Sequence, residues 1–216
     1  MSEYEIPKVK KTIYTVVIKR LIDIVLSLCA IIILSPLLLI IAILELIFHG
    51  WPIIYKQPRP GLNEKVFNIY KFRSMTDETD ENGEPLPGYM RVTKFGSFIR
   101  KFSLDELPEL FCILFGTMSI VGPRPLRVEY LGMYNERHAM RHAVRPGLAC
   151  ANIRQSKSTT RKTWREQFEN DIWYVENCSF IIDVKMIFAI IKEALHPNKN
   201  RIGATREPFD GTNLDS

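Results

Sequence analysis

Asp105 and Glu106 are adjacent carboxylates in residues 100–125, the part of the chain that mixes acidic, basic and turn-forming residues most densely. Neighbours on a helix point about 100° apart at about 3.6 residues per turn, so the two side chains cannot reach the same atom. We expect them to divide the work, with one carboxylate attacking an electrophile and the other holding a hard cation. The pair therefore predicts a catalytic centre.

The residues around this pair predict a short amphipathic helix. Ser103, three residues before Glu106, has the form of a capping box, which is the structural alternative to a catalytic role. Apolar side chains then recur at helical spacing, and Gly116 supplies the left-handed position that closes many helices. Pro108 argues against a regular first turn, because it cannot donate to the carbonyl of Leu104 and can leave that carbonyl free. The unpaired backbone donors of such a helix start favour an anionic substrate.

Cationic side chains lie close to the carboxylates in sequence. In Gly122-Pro123-Arg124-Pro125 the two prolines hold the backbone near an extended conformation, so the guanidinium loses little entropy when it binds phosphate. Alone, this tetrapeptide is equally consistent with a rigid surface turn. Arg100, Lys101 and the cluster Lys71-Phe72-Arg73 add positive charge. The combination predicts a site for a phosphorylated substrate.

Composition leaves several classes of partner open. With 216 residues, 46% hydrophobic and 25% charged, the chain is long enough for one sizeable domain or for a domain plus a membrane element. The formal net charge of +5 suits a nucleotide, a phospholipid surface or nucleic acid without selecting among them. The four cysteines form no CxxC pair, so reduced thiols facing the cytosol are expected. The sequence has no GxGxxG run and no Walker A lysine loop, which argues against Rossmann and P-loop nucleotide sites.

Residues 24–44 carry no charge and match the roughly 20 apolar residues that cross a bilayer core. A fully buried core helix is the structural alternative. Ser35-Pro36 lies near the middle of this run and predicts a break, at which the serine hydroxyl can satisfy a freed backbone group. Basic residues flank the run on both sides, and both flanks therefore favour the cytoplasm. We predict a re-entrant membrane hairpin within residues 1–50, with a straight span as the alternative.

Beyond the membrane segment, the pattern predicts a compact cytoplasmic catalytic domain over residues 51–196. Short strands at 53–55 and 66–70, joined through Pro58-Arg59-Pro60-Gly61, predict a small β-hairpin. The basic segment 91–100 and the amphipathic helix predicted for 180–195 can pack in a core or lie at a membrane interface. We predict that both lie at the membrane interface. The predicted fold class is α+β, mainly helical.

The remaining segments carry weaker signals. Residues 128–143 predict a helix with His138 and His142 one turn apart, a spacing that can bind zinc, although only Cys150 is near enough in sequence to be a third ligand. Residues 145–165 are basic and turn-rich and indicate a substrate loop. Residues 197–216 predict a polar, flexible C-terminal tail.

Taken together, the motifs closely resemble those of the monotopic phosphoglycosyl transferases, bacterial enzymes that start glycoconjugate assembly on a polyprenyl phosphate carrier. The resemblance covers nearly the whole chain. Its matching segments are KRLIDIVLS before Ser35-Pro36, QPRPGLNEKVFNIYKFRSM, FGSFIRKFSLDELPEL, MSIVGPRPLRVEYL, RHAVRPG and DIWYVENCSFIIDVK. The run at Leu148 to Asn152 departs from the Thr-Gly-Trp-Ala-Gln-like run usual in the family, so the sugar is left open.

This resemblance implies transfer of phospho-sugar from a UDP-sugar to polyprenyl (undecaprenyl) phosphate, with Mg²⁺ and with release of UMP, at the cytoplasmic face of the bacterial inner membrane. It implies these site residues: Asp105 as the nucleophile of a covalent phospho-sugar intermediate, Glu106 as its partner at the metal, Lys71, Arg100 and Arg124 as phosphate ligands, and Arg145 and Asp171 as further substrate-binding residues. Membrane lipids are expected partners and nucleic acid is not. A homodimer is left open.

Two competing functions remain at this point. One is a non-catalytic, membrane-anchored protein that binds anionic lipid or nucleic acid through its basic face. The other is a soluble glycosyltransferase, which releases UDP instead of UMP. The nucleotide product separates the two enzymes, and a requirement for Asp105 separates either enzyme from a binding protein.

Overall fold

The part of the chain described by the computed structural model comprises residues 11–151, 153, 163–195 and 207–215. Within it the protein is α+β and mainly helical, as predicted. The elements are α1 (Lys19–Phe48), β1 (Ile54–Pro60), β2 (Val66–Phe72), α2 (Gly88–Arg91), α3 (Lys94–Lys101), α4 (Glu109–Phe115), β3 (Ser119–Val121), α5 (Glu136–Ala139), β4 (Gly147–Ala149), α6 (Trp164–Asn177) and α7 (Phe180–Leu195). Residues 1–10, residues 152 and 154–162 of the predicted substrate loop, residues 196–206 and residue 216 lie outside the described residues.

Helix α1 runs through the predicted break. A π-helical turn, Tyr14–Ile18, leads into it, and Pro36 lies inside the helix. Because Pro36 has no N–H, it cannot bond the carbonyl of Ile32, four residues earlier. The Ser35 hydroxyl donates to that carbonyl at 2.8 Å. The prediction of an interrupted helix is therefore wrong for the secondary structure, whereas the predicted role of the serine hydroxyl is confirmed.

The burial pattern of α1 is the reverse of that of a soluble helix. Its buried residues are Asp23, Ser27, Ile41 and Glu45, three of them polar. Its exposed large apolar residues are Leu21, Val25, Leu26, Leu28, Ile32, Ile33, Leu39, Ile40, Ile43, Leu46, Ile47 and Phe48. The helix is long and apolar enough to cross a membrane, and only 11% of its most apolar window is buried. The alternative of a fully buried core helix is therefore wrong, and the outward face suits a lipid environment.

Polar contacts join the first turns of α1 to α4 and β3. Arg20 donates to the carbonyls of Ile113 and Leu114 at 2.6 and 2.7 Å, in the last turn of α4. Such carbonyls lack partners within their own helix, so Arg20 acts as a side-chain cap. The buried Asp23 accepts from the Ile120 amide at 3.0 Å and from the Ser119 hydroxyl at 3.1 Å.

A second set of polar contacts fixes the end of α1. Glu45 is fully buried, and its Oε2 lies 2.8 Å from His49 Nδ1. The other ring nitrogen of His49 lies 2.9 Å from the hydroxyl of Thr93, which also accepts from the Gly96 amide and so caps α3. Both ends of α1 are thereby attached to the same body of protein.

The predicted β-hairpin is confirmed. Strands β1 and β2 pair antiparallel from Ile54 opposite Phe72 to Pro60 opposite Val66. Pro58, Arg59 and Pro60 lie within β1 and not in the turn, which falls at residues 61–65. Proline fits there because β1 is an edge strand of a two-stranded sheet. The hairpin packs on α1 and α4 through a core that contains Ile69, Leu110, Cys112, Ile113 and Met118.

The region from 119 to 149 differs from the prediction. A parallel pair of short strands, β3 and β4, was not expected from the sequence. Gly122, directly after β3, and Gly147, the first residue of β4, approach each other very closely. A Cβ on Gly147 would lie 2.1 Å from the Gly122 nitrogen. The predicted helix over 128–143 is instead a 3₁₀ turn, α5 and a second 3₁₀ turn. Asn135 interrupts it by capping α5, with its side chain accepting from the amide of residue 138 at 2.7 Å.

The two histidines of this region are packing residues. His138 and His142 are both buried, and the His138 ring lies 4.8 Å from the Phe168 ring. Burial and the neighbouring Arg141 lower the pKa of His142 to about 4, so the ring is neutral. Among the described residues no group of three His, Cys, Asp or Glu side chains is arranged to hold a metal, which leaves the zinc alternative without support.

The end of the chain confirms one prediction and corrects another. Helix α7 has the predicted bounds, and Phe180, Ile181, Phe188 and Ile191 are exposed along it. The predicted flexible tail is wrong for residues 207–215. Phe209, 3% exposed, packs within an aromatic cluster with Tyr130, Trp164 and Phe168, which anchors this segment to α6.

Candidate active site

Asp105 and Glu106 lie in a 3₁₀ turn, Leu104–Glu106, between α3 and α4. Ser103 before it has a φ of 54°, in the left-handed region, and its side chain caps nothing. The predicted capping box is therefore wrong, because the Glu106 carboxylate is engaged by cations from other elements. The carbonyl of Leu104, expected to be free, accepts from the Leu107 amide at 3.3 Å, since a 3₁₀ turn does not need the N–H of Pro108.

Glu106 is the centre of an ion cluster that four segments build. Its Oε1 accepts a hydrogen bond at 2.7 Å from the ammonium group of Lys71, which lies on β2. The guanidinium of Arg124, in the loop after β3, donates to the same oxygen. Lys71 also lies 3.2 Å from Oε1 of Glu109, the first residue of α4. Lys71, Glu106 and Glu109 have poorly exposed side chains, while that of Arg124 is 48% exposed. The cluster therefore has a fixed interior and one guanidinium facing solvent.

The electrostatic environment of the cluster shifts the pKa values of its three carboxylates in different directions. Burial alone would raise the pKa of Glu106, but Arg124 and Lys71 outweigh it and hold that pKa below the usual range. Burial raises the pKa of Glu109, with Lys71 opposing and Glu106 adding to the rise. Burial and the negative charge of Glu106 raise the pKa of Asp105, against the opposing charges of Lys71 and Arg100. Glu106 is thus the firmly ionised partner, and Asp105 is the carboxylate whose charge is least compensated.

Asp105 differs from Glu106 in its contacts as well. In the part of the chain that the structure describes, no neighbouring side chain forms a hydrogen bond or an ion pair with the Asp105 carboxylate. Apart from a hydrogen bond with its own backbone amide, the carboxylate is thus available to an incoming group. An available, destabilised carboxylate beside a cationic cluster is suited to attack an electrophile that carries negative charge.

A buried ion pair supports the loop that carries Arg124. Arg141 and Asp171 lie 2.7 Å apart with side chains 1% and 3% exposed. The same Arg141 nitrogen donates to the backbone carbonyl of Arg124 at 2.7 Å. The Arg141 guanidinium also lies over the rings of Tyr134 and Phe168, at 5.8 and 5.6 Å. Asp171 therefore helps to hold the backbone of Arg124 in place, because it binds the arginine that donates to the Arg124 carbonyl.

The structure unites only some of the predicted site residues. It brings Asp105, Glu106, Lys71 and Arg124 together, and the exposed Arg100 influences Asp105 through its charge. It does not bring Arg145 to the carboxylates, because Arg145 Nε donates to the carbonyl of Gly116 at 2.9 Å, beyond the far end of α4. Nor does it bring Asp171, which is buried against Arg141. Neither Arg145 nor Asp171 contacts the carboxylate pair, so this arrangement provides no contact that supports their predicted roles in substrate binding.

Two residues of the site escaped the sequence reasoning. Glu109 shares Lys71 with Glu106. Its spacing of three residues from Glu106, across Pro108, was the available signal, because residues three apart share a helix face. Arg141 falls within the matching segment RHAVRPG, but its contacts had no local signal, since its partners Asp171 and the carbonyl of Arg124 lie 30 and 17 residues away.

The donor set suits a hard cation. The carboxylates of Asp105 and Glu106 offer oxygen ligands of the kind Mg²⁺ prefers. The described residues form no cage of three His, Cys, Asp or Glu ligands. Mg²⁺ is usually bound through one or two carboxylates together with substrate phosphates and water. The residues present therefore fit the ion.

Comparison with known proteins identifies the family. A model of the bacterial sugar transferase family matches residues 14–197. The uncharacterised sugar transferase EpsL of Bacillus subtilis is 41% identical over 179 residues, 83% of this chain and 88% of the relative. A UDP-glucose:undecaprenyl-phosphate glucose-1-phosphate transferase of Klebsiella pneumoniae is 38% identical over 81% of this chain but only 39% of the relative. A UDP-N-acetylgalactosamine-undecaprenyl-phosphate N-acetylgalactosaminephosphotransferase of Aeromonas hydrophila is 36% identical over 82% of this chain and 44% of the relative.

The chain belongs to the bacterial sugar transferase family. It is an enzyme of the phosphoglycosyl transferase class, which confirms the resemblance drawn from its motifs. The alternative of a non-catalytic binding protein is not supported. The chain spans less than half the length of the Klebsiella and Aeromonas relatives and most of the length of EpsL.

The Arg141–Asp171 pair gives a stability prediction. Asp171→Asn leaves a buried guanidinium without its carboxylate, and we expect the free energy of unfolding to fall by about 3–5 kcal/mol. The exposed pair Arg165–Asp215, with side chains 55% and 73% exposed, provides the matched control. Asp215→Asn should lower the free energy of unfolding far less, because an ion pair in solvent contributes little. Denaturant unfolding in detergent micelles measures both variants, and equal small losses would contradict a supporting role for Asp171.

Proposed function

We propose that this protein transfers phospho-sugar from a UDP-sugar to undecaprenyl phosphate and releases UMP, through a covalent intermediate on Asp105. The named activities of the Klebsiella and Aeromonas relatives support the overall reaction. The observation that carries the covalent step is the contrast within the carboxylate pair. Glu106 is held by two cations, whereas Asp105 is destabilised and available.

The reaction consists of two displacements at one phosphorus atom. A carboxylate oxygen of Asp105 attacks the phosphorus that bears the sugar, the bond from that phosphorus to the bridging oxygen breaks, and UMP leaves with the bonding electrons. An oxygen of undecaprenyl phosphate then attacks the same phosphorus and displaces Asp105 as a carboxylate. The products are UMP and undecaprenyl diphospho-sugar. An acyl phosphate intermediate replaces one difficult transfer with two easier ones.

The cations of the cluster bind the phosphates and counter the charge that develops on the oxygens around phosphorus. Arg124 is suited to this because its guanidinium is partly exposed and its backbone is fixed through Arg141. Lys71 holds Glu106 and Glu109 in place, and Arg100 adds charge at the rim. Glu106, with Asp105 beside it, would hold Mg²⁺, which would supply further neutralisation of the diphosphate.

We also propose that α1 enters and leaves the membrane on its cytoplasmic face. Asp23 and Glu45 are 22 residues apart, about 33 Å along a straight helix, which exceeds the roughly 30 Å hydrocarbon core. A straight span places such residues on opposite sides of the bilayer. Here Asp23 bonds β3 and Glu45 reaches the cap of α3 through His49, within one body of protein. This supports a re-entrant path in which α1 stays helical but bends at Pro36, with its exposed apolar residues in lipid.

The exposed aromatic residues of the other helices suit the same placement. Phe98 on α3 and Phe102 directly after it form an edge-to-face pair with ring centroids 5.2 Å apart, and both are more than half exposed. Lys101 lies 5.7 Å from the Phe102 ring centroid. Helix α7 exposes Phe180 and Phe188. Aromatic and cationic side chains of this kind favour the headgroup region, so α3 and α7 are proposed to lie at the interface.

The covalent step is tested at Asp105. With UDP-sugar and Mg²⁺ but without the lipid acceptor, the wild-type enzyme should release one equivalent of UMP and gain the mass of a phospho-sugar, whereas Asp105→Asn should do neither. Glu81→Gln, which removes an exposed carboxylate remote in sequence, is the control and should behave as wild type. Intact-protein mass spectrometry with nucleotide chromatography measures both. Full release of UMP by Asp105→Asn would refute the mechanism, and UDP as product would favour the soluble glycosyltransferase alternative.

The raised pKa of Asp105 predicts a pH dependence. The attacking form is ionised, so the rate of UMP release should fall as the pH falls through this raised pKa. Since the charge of Arg100 lowers the pKa of Asp105, Arg100→Gln should move the acid limb to higher pH. Lys101→Gln removes the neighbouring cation and should leave the limb in place. Single-turnover rates at saturating UDP-sugar provide the profiles, and unmoved limbs in both variants would contradict Asp105 as the attacking group.

Topology is tested with tags at the two ends of the chain. A re-entrant helix keeps both tags in the cytoplasm, so a membrane-impermeant reagent should label neither in intact cells and both in permeabilised cells. A straight span exposes one of the tags to the reagent. Labelling of the N-terminal tag alone in intact cells would refute the re-entrant path.

A further inference from the structure

The C-terminal segment 207–215 is built into the catalytic domain, although the family model ends before it, at residue 197. Phe209 is 3% exposed and packs with Tyr130, Trp164 and Phe168. Its ring centroid lies 5.7, 5.5 and 5.1 Å from theirs, respectively. Buried aromatic side chains contribute more to packing than most other residues. The segment is therefore held firmly, and neither the transfer reaction nor the ion cluster, as described above, includes it.

Two backbone hydrogen bonds fix the same segment. The amide of Phe209 donates to the hydroxyl of Tyr130 at 3.2 Å. The amide of Arg165 donates to the carbonyl of Leu214 at 2.8 Å. Arg165 lies in the first turn of α6, where amides have no partner within the helix. Residues 207–215 thus cap α6 as well as pack against its aromatic side chains.

Two of the rings that contact Phe209 also contact Arg141. Phe209 stacks on Tyr134 with ring centroids 6.1 Å apart and meets Phe168 edge to face. The Arg141 guanidinium lies 5.8 Å from the Tyr134 centroid and 5.6 Å from that of Phe168. Its Nη1 donates to the Tyr134 hydroxyl at 3.2 Å. Tyr134 and Phe168 therefore connect the C-terminal segment to this arginine.

Arg141 in turn holds the backbone of Arg124. Its Nη2 donates to the Arg124 carbonyl and to Asp171, in each case at 2.7 Å. The side chain of Arg124, which bonds Glu106, is 48% exposed, so its position depends on the backbone that carries it. Close-packed interiors transmit displacements because they contain few voids to absorb them. A shift at Phe209 therefore reaches Arg124 through packed neighbours.

From these contacts we infer that Phe209 is a positioning residue for the transfer reaction. Residues 207–215 hold two aromatic rings against Arg141 and so fix Arg124 at the phosphate-binding cluster. This inference rests on the proposed function, in which Arg124 binds the phosphates. Because Phe209 acts through other residues, its loss should slow the first displacement without changing the chemistry.

A purely structural role for Phe209 makes a different prediction. In that case the loss of Phe209 destabilises the domain and lowers activity to the same extent whether or not the Arg124 side chain is present. A role through Arg124 makes the two substitutions non-additive, because residues linked by contacts are coupled, whereas the effects of independent sites add. A double-mutant cycle on the first displacement therefore separates the two roles.

The cycle compares wild type, Phe209→Ala, Arg124→Ala and the double variant. The measurement is single-turnover release of UMP from UDP-glucose and UDP-N-acetylgalactosamine, radiolabelled in the uridine, with Mg²⁺ and without lipid acceptor. Phe209→Ala should lower the rate about tenfold in the wild-type background and less than about twofold in the Arg124→Ala background. Leu214→Ala is the control, because it truncates a side chain that packs against the same aromatic cluster, and it should lower the rate less than about twofold.

Phe209→Leu is the second variant, in case Phe209→Ala does not fold. Leucine keeps most of the buried volume but removes the ring contacts, so UMP release should fall about threefold in the wild-type background and no further in the Arg124→Ala background. Equal losses in both backgrounds would assign Phe209 a structural role only. Unchanged UMP release in a folded Phe209→Ala or Phe209→Leu variant would also overturn the inference.

Hydrogen–deuterium exchange tests the positioning role without turnover. In Phe209→Ala, the amides of residues 119–127 should exchange faster than in wild type, while those of the hairpin strands β1 and β2 should be unchanged. Leu214→Ala should change neither region. Faster exchange throughout the domain would show a general loss of stability and overturn the inference. Because exchange needs no substrate, absence of UMP release from the wild-type enzyme would sink the proposed function while the positioning role remains testable.

Discussion

The sharing of one carboxylate oxygen by two cations governs the rest of the site. Glu106 Oε1 holds both Lys71 and Arg124, which come from segments more than fifty residues apart in sequence. This contact draws the hairpin and the loop after β3 onto the 3₁₀ turn. It also removes Glu106 from competition for the substrate and leaves its neighbour available. Breaking any part of the cluster would leave buried charge uncompensated, so its members are expected to be strongly coupled.

The arrangement of α1 is the second constraint, and it links the chemistry to the membrane. The helix turns its few polar side chains toward the protein and its apolar side chains outward, and it is attached to the catalytic body near both ends. A helix attached in this way cannot move independently of the site. Its distance from the ion cluster is therefore fixed, which suits the proposed reaction between one water-soluble substrate and one membrane-bound substrate.

Local chemistry decided which parts could be predicted. The carboxylate pair, Lys71, Arg124, the hairpin and α7 follow from residue types and short-range periodicity, and the structure has them. The capping box at Ser103 failed because Glu106 bonds distant cations in preference to its own helix start. Arg141 and the parallel β3–β4 pair depend on contacts between segments remote in sequence, for which one sequence carries no signal. Arg145 and Asp171 were assigned by resemblance alone, and their side chains bond a helix end and a buried arginine.

The hydrogen bond from Ser35 to the Ile32 carbonyl has a meaning that depends on the solvent around it. In water, a carbonyl that loses its helix partner to proline is hydrated without difficulty. In hydrocarbon no such replacement exists, and an unpaired carbonyl there costs several kcal/mol. The serine hydroxyl thus supplies, from within the helix, what water supplies elsewhere. In the membrane placement proposed for α1, the proline is tolerable because the residue before it carries its own donor.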